Sequence, residues 1–353
     1  MCVRGPRQSV MGGLWAIFLL TTLTSGVCAA ETPVKFSLNF KIEGTSAPFL
    51  LPLDKGYYKA EHLNVTVDPA TGTADAIKRV ASGNYDLGFA DINALIKFRD
   101  ANPKAPLKAI FMVYNRPPFA VIGRRSRGIE VPRDLEGKKL GAPATDGSFA
   151  EWPIFANVNH IDASKVTIET IAAPVREPML AAGQVDAVTG VSFSTYVDLK
   201  DKGVPVNDIA VLLMADYGLK LYGNAIVVNT TFAAEHPDAV KGFLSAFLKG
   251  LKETVKSPAA AIGTVLDRTD GAKKDVEIER LSIAIRDNIV TPEVKANGYG
   301  GIDPTRFAAA IDQLATAYKF KNAKPGLDDI FDGSYLPPAA ERKVASQPAV
   351  KRR

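Results

Sequence analysis

Side chains able to bind a small molecule follow several of the strands that the sequence predicts. In the first half of the chain they are Phe40 and Lys41, Thr71 and Thr73, and Asp91. A lysine ammonium, threonine hydroxyls and the free N–H groups of a helix start can hold an anion or a carbonyl. The Asp91 carboxylate accepts hydrogen bonds instead, for example from an amino group. Because ligands of helix-flanked sheets collect at the carboxyl ends of strands, we expect these residues to line a cleft.

A second group of candidate residues lies in the middle of the chain. Ser148, Glu151 and Trp152 stand at the predicted start of a helix, and Ser192 follows a short apolar strand. An indole ring in a cleft can stack on a flat heterocycle and exclude water. Tyr222 is a further aromatic candidate, close to a predicted return strand. We predict that Asp91 and the Ser148–Trp152 segment meet across the ligand.

Each of these residues also has a purely structural interpretation. Asp91 and Ser148 could each serve only as the N-cap of a helix. Trp152 could pack in a core, as aromatic residues commonly do. Lys41 and Arg176 could pair an anionic ligand, although surface charges of this kind usually remain solvated. The sequence leaves these alternatives open.

A short unit that occurs twice indicates how the two groups are positioned. Residues 81–89 read ASGNYDLGF, and residues 181–188 read AAGQVDAV. In each, a helix ends at a glycine, which can adopt the left-handed conformation. An aspartate and a short apolar strand follow, as expected of a buried parallel strand. The repeat predicts two similar α/β lobes with a binding cleft between them.

Apolar periodicity predicts alternating strands and helices along the chain. The predicted strands cover residues 34–40, 63–67, 87–90, 108–114, 119–123, 166–171, 186–189, 209–214 and 224–229. The predicted helices cover 48–58, 74–82, 177–182 and 194–202, and others begin at Asp91, near Ser148, at Pro237 and at Pro304. The helix from Pro237 has an apolar stripe that includes Phe243 and Phe247, which we interpret as core packing.

The N-terminal 30 residues have the layout of a secretory signal peptide. Arg4 and Arg7 precede an apolar run over residues 14–23, and the small-residue segment SGVCAA covers residues 25–30. We expect cleavage after residue 30 and a periplasmic product. The alternatives are a retained membrane anchor or lipid attachment at Cys28.

Composition excludes several classes of function. Cys2 and Cys28 are the only cysteines, so cleavage would leave a chain without thiolate chemistry. The three histidines, His62, His160 and His236, lie far apart without metal-binding spacing. The chain has 43 basic and 38 acidic residues and no basic stripe, which argues against a nucleic-acid partner. We expect a monomer without a cofactor.

Three segments resemble a known family. FSLNFK at residues 36–41, KGYYKAEHLNV at 55–65 and VASGNYDLG at 80–88 are similar to the periplasmic solute-binding proteins of nitrate, sulfonate, taurine and thiamine-pyrimidine import systems. DLEGKKLG at 134–141 resembles the segment that opens the family's second lobe. His62 stands where the family usually has glycine, a departure at a helix end.

The resemblance implies an α/β, type II periplasmic binding-protein fold with a hinge and a central ligand cleft. One lobe would comprise residues 32–116 and 229–338, and the other 117–228. Residues 339–353 lack periodicity and are expected to be disordered. In such a system the closed protein delivers its solute to a membrane permease that an ATPase drives.

The resemblance leaves the ligand open between two classes. Nitrate, sulfonates and taurine need positive charge or helix N-termini, whereas a thiamine-pyrimidine-like heterocycle needs a carboxylate and a stacking ring. A secreted sensor that docks on a receptor is an alternative function. A eukaryotic branch of this fold group makes the thiamine pyrimidine enzymatically, but it carries a cysteine-rich motif that a chain cleaved after residue 30 would lack.

Overall fold

The framework consists of two five-stranded mixed sheets. The computed structural model describes residues 1, 31–144 and 146–345. The first sheet has the order β2-β1-β3-β10-β4 and the second the order β7-β6-β8-β5-β9. The strands are β1 Thr32–Ser37, β2 Leu63–Asp68, β3 Leu87–Asp91, β4 Leu107–Met112, β5 Phe119–Arg124, β6 Lys139–Ala142, β7 Thr167–Thr170, β8 Ala187–Val191, β9 Ile209–Leu213 and β10 Asn224–Asn229.

Helices follow most strands and cover the sheets. They are α1 Ala47–Asp54, α2 Tyr57–Ala60, α3 Thr73–Ala81, α4 Ile92–Ala101, α5 Gly147–Ala150, α6 Trp152–Val158, α7 Arg176–Ala181, α8 Ser192–Asp201, α9 Thr230–Glu235, α10 Pro237–Lys256, α11 Pro258–Ala261, α12 Gly263–Leu266, α13 Lys274–Ala284, α14 Pro292–Asn297, α15 Pro304–Ala317, α16 Leu327–Ile330 and α17 Ala339–Arg342. The predicted helix over 48–58 is two helices, because Gly56 adopts φ +67° and separates α1 from α2.

The repeated unit forms the same structure in both sheets. Gly83 and Gly183 have φ of +76° and +71°, which ends the helix before each strand. The Asp86 carboxylate accepts a hydrogen bond from the N–H of Lys35 at 2.8 Å. The Asp186 carboxylate accepts the equivalent bond from Lys139 at 2.9 Å. Each aspartate therefore fixes its own strand against the neighbouring parallel strand, β1 in the first sheet and β6 in the second, and the two lobes are built alike.

The return strand β10 corrects one predicted boundary. It lies between β3 and β4 and is antiparallel to both. The second lobe therefore ends before Asn224 and not at residue 228. Two segments cross between the sheets, one from β4 to β5 and one from β9 to β10.

Stacked aromatic rings form the core of the first lobe. The Phe36 ring centroid lies 5.2 Å from that of Phe243, and the Phe49 centroid lies 4.8 Å from that of Phe247. Both phenylalanines of α10 have side chains with no exposed surface. The apolar stripe of α10 is therefore a core-facing surface, as its period predicts.

The C-terminal segment corrects a second expectation. Residues 339–342, expected to be disordered, form α17, and Arg342 exchanges two hydrogen bonds with Tyr299. These hydrogen bonds hold α17 on the first lobe, and the apolar pattern of the sequence did not predict them. The predicted signal peptide and residues 346–353 lie outside the described residues. Within the described part of the chain, no helix is both long and apolar enough to cross a membrane.

Candidate ligand-binding site

The first wall of the candidate site lies at the carboxyl ends of β1, β2 and β3. Phe40 is 47% exposed, and the Lys41 ammonium lies 5.9 Å from its ring centroid. The Thr71 hydroxyl donates to the Asp75 carboxylate at 3.1 Å. Thr73 is drawn further inward, because its hydroxyl accepts a hydrogen bond from the Asp91 N–H at 3.1 Å. Of these candidates, the structure therefore brings Thr73 and Asp91 into direct contact.

Asp91 is the N-cap of α4 and is buried. Its carboxylate accepts from the Ala94 N–H at 2.8 Å and from the Asn93 side-chain amide at 3.2 Å. Only 8% of the residue is exposed. Burial raises the pKa of Asp91 to about 7, and the nearby negative charge of Glu151 acts in the same direction. The Asp91 side chain is therefore the predicted cap of α4. The same carboxyl group has a raised pKa and lies close to Glu151.

Glu151 brings a second buried carboxylate to the same place from the other lobe. It is 2% exposed, and its Oε1 accepts a hydrogen bond from the Lys97 ammonium at 2.9 Å. Its Oε2 is buried and has no hydrogen-bond partner among the described residues. Burial raises the pKa of Glu151, and Lys97 opposes that rise. A buried acceptor without a donor costs free energy, so the Glu151 Oε2 is an unsatisfied group at this place in the fold.

Lys97 is a site residue that the sequence analysis missed. It belongs to α4, six residues after Asp91, so one helix carries both the carboxylate and the ammonium. Its ammonium pairs with Glu151 across the boundary between the lobes. The sequence does place Lys97 next to the inward-facing Leu95 and Ile96. Nothing in the sequence, however, indicates that its partner is Glu151, 54 residues away.

Paired charges form the second-lobe wall at the ends of β6 and β8. The Arg176 guanidinium lies 2.7 Å from the Glu177 carboxylate and 3.8 Å from that of Asp146. Asp146, and not Ser148, caps α5, because its carboxylate accepts from the Ser148 N–H at 3.1 Å. The Ser148 hydroxyl donates to the Gly190 carbonyl at 2.7 Å. Arg176 is therefore already neutralised by carboxylates.

Two buried hydroxyls lie beyond the end of β8. Ser192 is 4% exposed and Thr195 is fully buried. Neither hydroxyl has a hydrogen-bond partner in the part of the chain that the structure describes. A Cβ atom on Gly190 would come within 2.4 Å of the Thr195 Oγ1, so only glycine lets this strand end approach α8. These hydroxyls can serve as further donors or acceptors for a ligand.

Trp152 and Tyr222 occupy structural positions. Trp152 is 5% exposed and packs in an apolar cluster with Phe155, at a ring separation of 6.1 Å. The Tyr222 hydroxyl donates to Glu293 at 2.8 Å, and the Arg306 guanidinium lies 3.9 Å from its ring centroid. Tyr222 thus braces the second crossing segment. The stacking of Trp152 on a ligand stays a prediction.

The architecture defines the fold of the chain. Two α/β lobes joined by two crossings constitute the periplasmic binding-protein fold. The periplasmic aliphatic sulphonate-binding protein SsuA of Escherichia coli superposes with a TM-score of 0.66 at 15% identity, covering 86% of this chain and 99% of that one. The periplasmic nitrate-binding protein NrtA of Synechocystis superposes with a TM-score of 0.65 at 11% identity, covering 88% and 91%.

The sequence comparison assigns the family. The model of the NMT1/THI5-like family matches residues 44–261, more than half of the sequence. The chain therefore belongs to the NMT1/THI5-like family.

Individual relatives carry different functions. The riboflavin-binding protein RibY of Chloroflexus aurantiacus is 28% identical over 61% of this chain and 60% of its own. The 4-amino-5-hydroxymethyl-2-methylpyrimidine phosphate synthase of Schizosaccharomyces pombe is 23% identical over 64% and 66%. The formylaminopyrimidine-binding protein of Halalkalibacterium halodurans is 25% identical over 74% and 78%. The match thus spans less than two thirds of the first two relatives.

Proposed function

We propose that this protein is the substrate-binding component of an ABC importer. It captures a small solute between its two lobes and delivers it to a membrane permease that a partner ATPase drives. The family assignment, the fold and the names of two relatives as binding proteins support this proposal. We further propose that the protein acts as a monomer in the periplasm after loss of the N-terminal segment.

The ligand that the site fits best is a small nitrogen heterocycle bearing an amino group. The observation that carries this proposal is the Asp91–Glu151–Lys97 group, in which two buried carboxylates lie near one ammonium and only Glu151 pairs with it. The Glu151 Oε2 lacks a donor within the described structure. An amino group or a protonated ring nitrogen can donate to it and offset the excess negative charge.

The same geometry disfavours an anionic ligand beside Asp91 and Glu151. Lys97 is paired with Glu151, and Arg176 is paired with Glu177. Nitrate or a sulfonate would have to compete with a carboxylate for either cation, and it would approach Asp91 against charge repulsion. The likeness to sulfonate- and nitrate-binding structures concerns the fold.

An enzymatic function is the second candidate, because the family includes pyrimidine synthases. Of this chain's histidines, His62 and His160 lie at helix ends with φ of +57° and +54°, and both are exposed. His236 is exposed and packs on Phe232 at a ring separation of 4.9 Å. Within the described structure, none of the three histidines forms a hydrogen bond with Asp91, Glu151 or Lys97, which favours binding over catalysis.

A thermal-shift screen tests the ligand class. We expect 4-amino-5-hydroxymethyl-2-methylpyrimidine or a formylaminopyrimidine to raise the melting temperature of the purified protein, while nitrate, taurine and alkanesulfonates leave it unchanged. Glu151→Gln should abolish the shift, because an amide cannot supply a charged acceptor. The matched control is Glu136→Gln, which removes a carboxylate that pairs with Lys165 on the surface of the second lobe. Stabilisation by the anions alone would refute the proposed ligand class.

The transport role needs a separate test. A receptor-docking sensor would bind the same ligand, so a binding assay does not distinguish it from an importer component. Loss of ligand uptake by cells after deletion of the gene is expected for an importer. Unchanged uptake with a lost signalling response would favour the sensor.

A further inference from the structure

Helices α8 and α13 lie side by side, although each belongs to a different lobe. Leu199 of α8 is buried in the core of the second lobe with Ile122 and Leu180. Leu281 of α13 is buried with Leu50 of α1 and Ile262 in the first lobe. Each helix is thus anchored by its apolar face to its own lobe, and the facing surfaces meet between the lobes.

Complementary charges join these facing surfaces. Each side supplies both signs, from α8, from α13 and from Lys273, the N-cap residue of α13. The pairs are Arg280 with Asp198 at 2.9 Å, Lys200 with Glu279 at 2.7 Å, and Lys273 with Asp201 at 2.7 Å. All three pairs exist only while α8 lies against α13.

The buried end of this interface reaches the segment that follows β1. Arg280 has a side chain only 4% exposed and lies 3.9 Å from the Glu43 carboxylate. Glu43 in turn accepts a hydrogen bond from the Ser194 hydroxyl, at the start of α8, at 3.1 Å. The Glu277 carboxylate fixes α13 to the first lobe by accepting from the Gly44 N–H at 2.5 Å. Lobe separation would therefore break an exposed row of ion pairs and a buried group together.

We propose that these residues form an ionic latch that holds the two lobes together and sets the balance between open and closed forms without ligand. Its exposed members are Lys200, Lys273 and Asp201, its half-buried member is Glu279, and its buried member is Arg280. Lys200 and Lys273 are 43% and 64% exposed, so salt screens their pairs. Each exposed pair should change the ratio of closed to open molecules by roughly two- to fivefold.

Small-angle X-ray scattering of the ligand-free protein tests the latch. The radius of gyration should rise between about 10 mM and 1 M salt, because the screening length falls from about 30 Å to about 3 Å. At low salt, the Lys200→Glu, Lys273→Glu double variant should already show the larger radius. Adding Glu279→Lys to Lys200→Glu should restore the compact form, since the pair is rebuilt with its signs exchanged.

The control is Lys165→Glu, which disrupts a pair with Glu136 within the second lobe and should leave the radius unchanged. Circular dichroism verifies that each variant is folded. Either of two results would refute the latch. The first is a wild-type radius of gyration that is the same at both salt concentrations. The second is a double variant with the same radius as the wild-type protein at low salt. Since no ligand is used, this outcome would leave the proposed ligand class untouched.

Discussion

Replacing Asp91 with asparagine separates its two roles. Asparagine caps a helix as well as aspartate does, so the bond from the Ala94 N–H can be kept. The negative charge, however, is lost. Asp91→Asn therefore removes the ionisable group without removing the cap, whereas Asp91→Ala removes both and should cost about 1 kcal/mol for the cap alone.

The pH dependence of stability follows from the raised pKa. Aspartate in an unfolded chain ionises near pH 3.9, whereas the pKa of Asp91 in the fold is about 7. The protonated side chain therefore favours the folded state fully below about pH 4, and this contribution is lost as the pH rises through 7. The gap between the two values corresponds to a free energy on the order of 4 kcal/mol.

Chemical denaturation at pH 5 and pH 8 measures this effect. We expect the stability of Asp91→Asn relative to the wild-type protein to increase by roughly 2–3 kcal/mol between pH 5 and pH 8, because the unfolded aspartate is already largely ionised at pH 5 while the folded one is not. Binding of the aminopyrimidine should weaken by roughly ten- to a hundredfold, because a charge-assisted hydrogen bond contributes about 1.5–3 kcal/mol. Parallel stability profiles across this pH range would refute the buried, proton-binding carboxylate. Unchanged affinity would make Asp91 a cap only.

Two further predictions concern Trp152 and the N-terminus. Trp152→Ala should lower the free energy of unfolding by about 3–5 kcal/mol, because it opens a cavity in an apolar cluster. Unchanged stability in a denaturation curve would contradict the observed packing. Loss of ligand affinity at temperatures where the variant is folded would show that Trp152 also stacks on the ligand. Mass spectrometry of the exported protein should find a chain that begins near Glu31, and a full-length product held in the membrane would refute cleavage.

Local patterns predicted most of the framework. The repeated glycine and aspartate fix helix ends and strand starts through contacts within one lobe, so both units were predictable from residues 81–89 and 181–188. The lobe boundary at β10 was not, because a fully buried apolar strand has the same pattern in either sheet. Only its pairing with β3 and β4 assigns it to the first lobe.

The candidate site was predictable in part. Asp91 and Glu151 were singled out by their positions at a strand end and a helix start, and the structure brings them together. Lys97 was missed because its partner is distant in sequence. The sequence allows Ser148 as a cap, yet Asp146, two residues earlier, supplies the oxygen, because either residue type suits a cap position. Such choices depend on tertiary contacts that a sequence pattern does not contain.

Isothermal titration calorimetry of the purified protein with 4-amino-5-hydroxymethyl-2-methylpyrimidine tests the central claim most directly. We predict saturable binding at one site per chain, weakened at least tenfold by Glu151→Gln and unaffected by Glu136→Gln. Binding that is equally strong in all three proteins would contradict the placement of the site at Asp91, Glu151 and Lys97. No heat of binding to the pyrimidine, together with saturable binding of taurine or nitrate, would contradict the claim that this cleft selects an amino-bearing heterocycle.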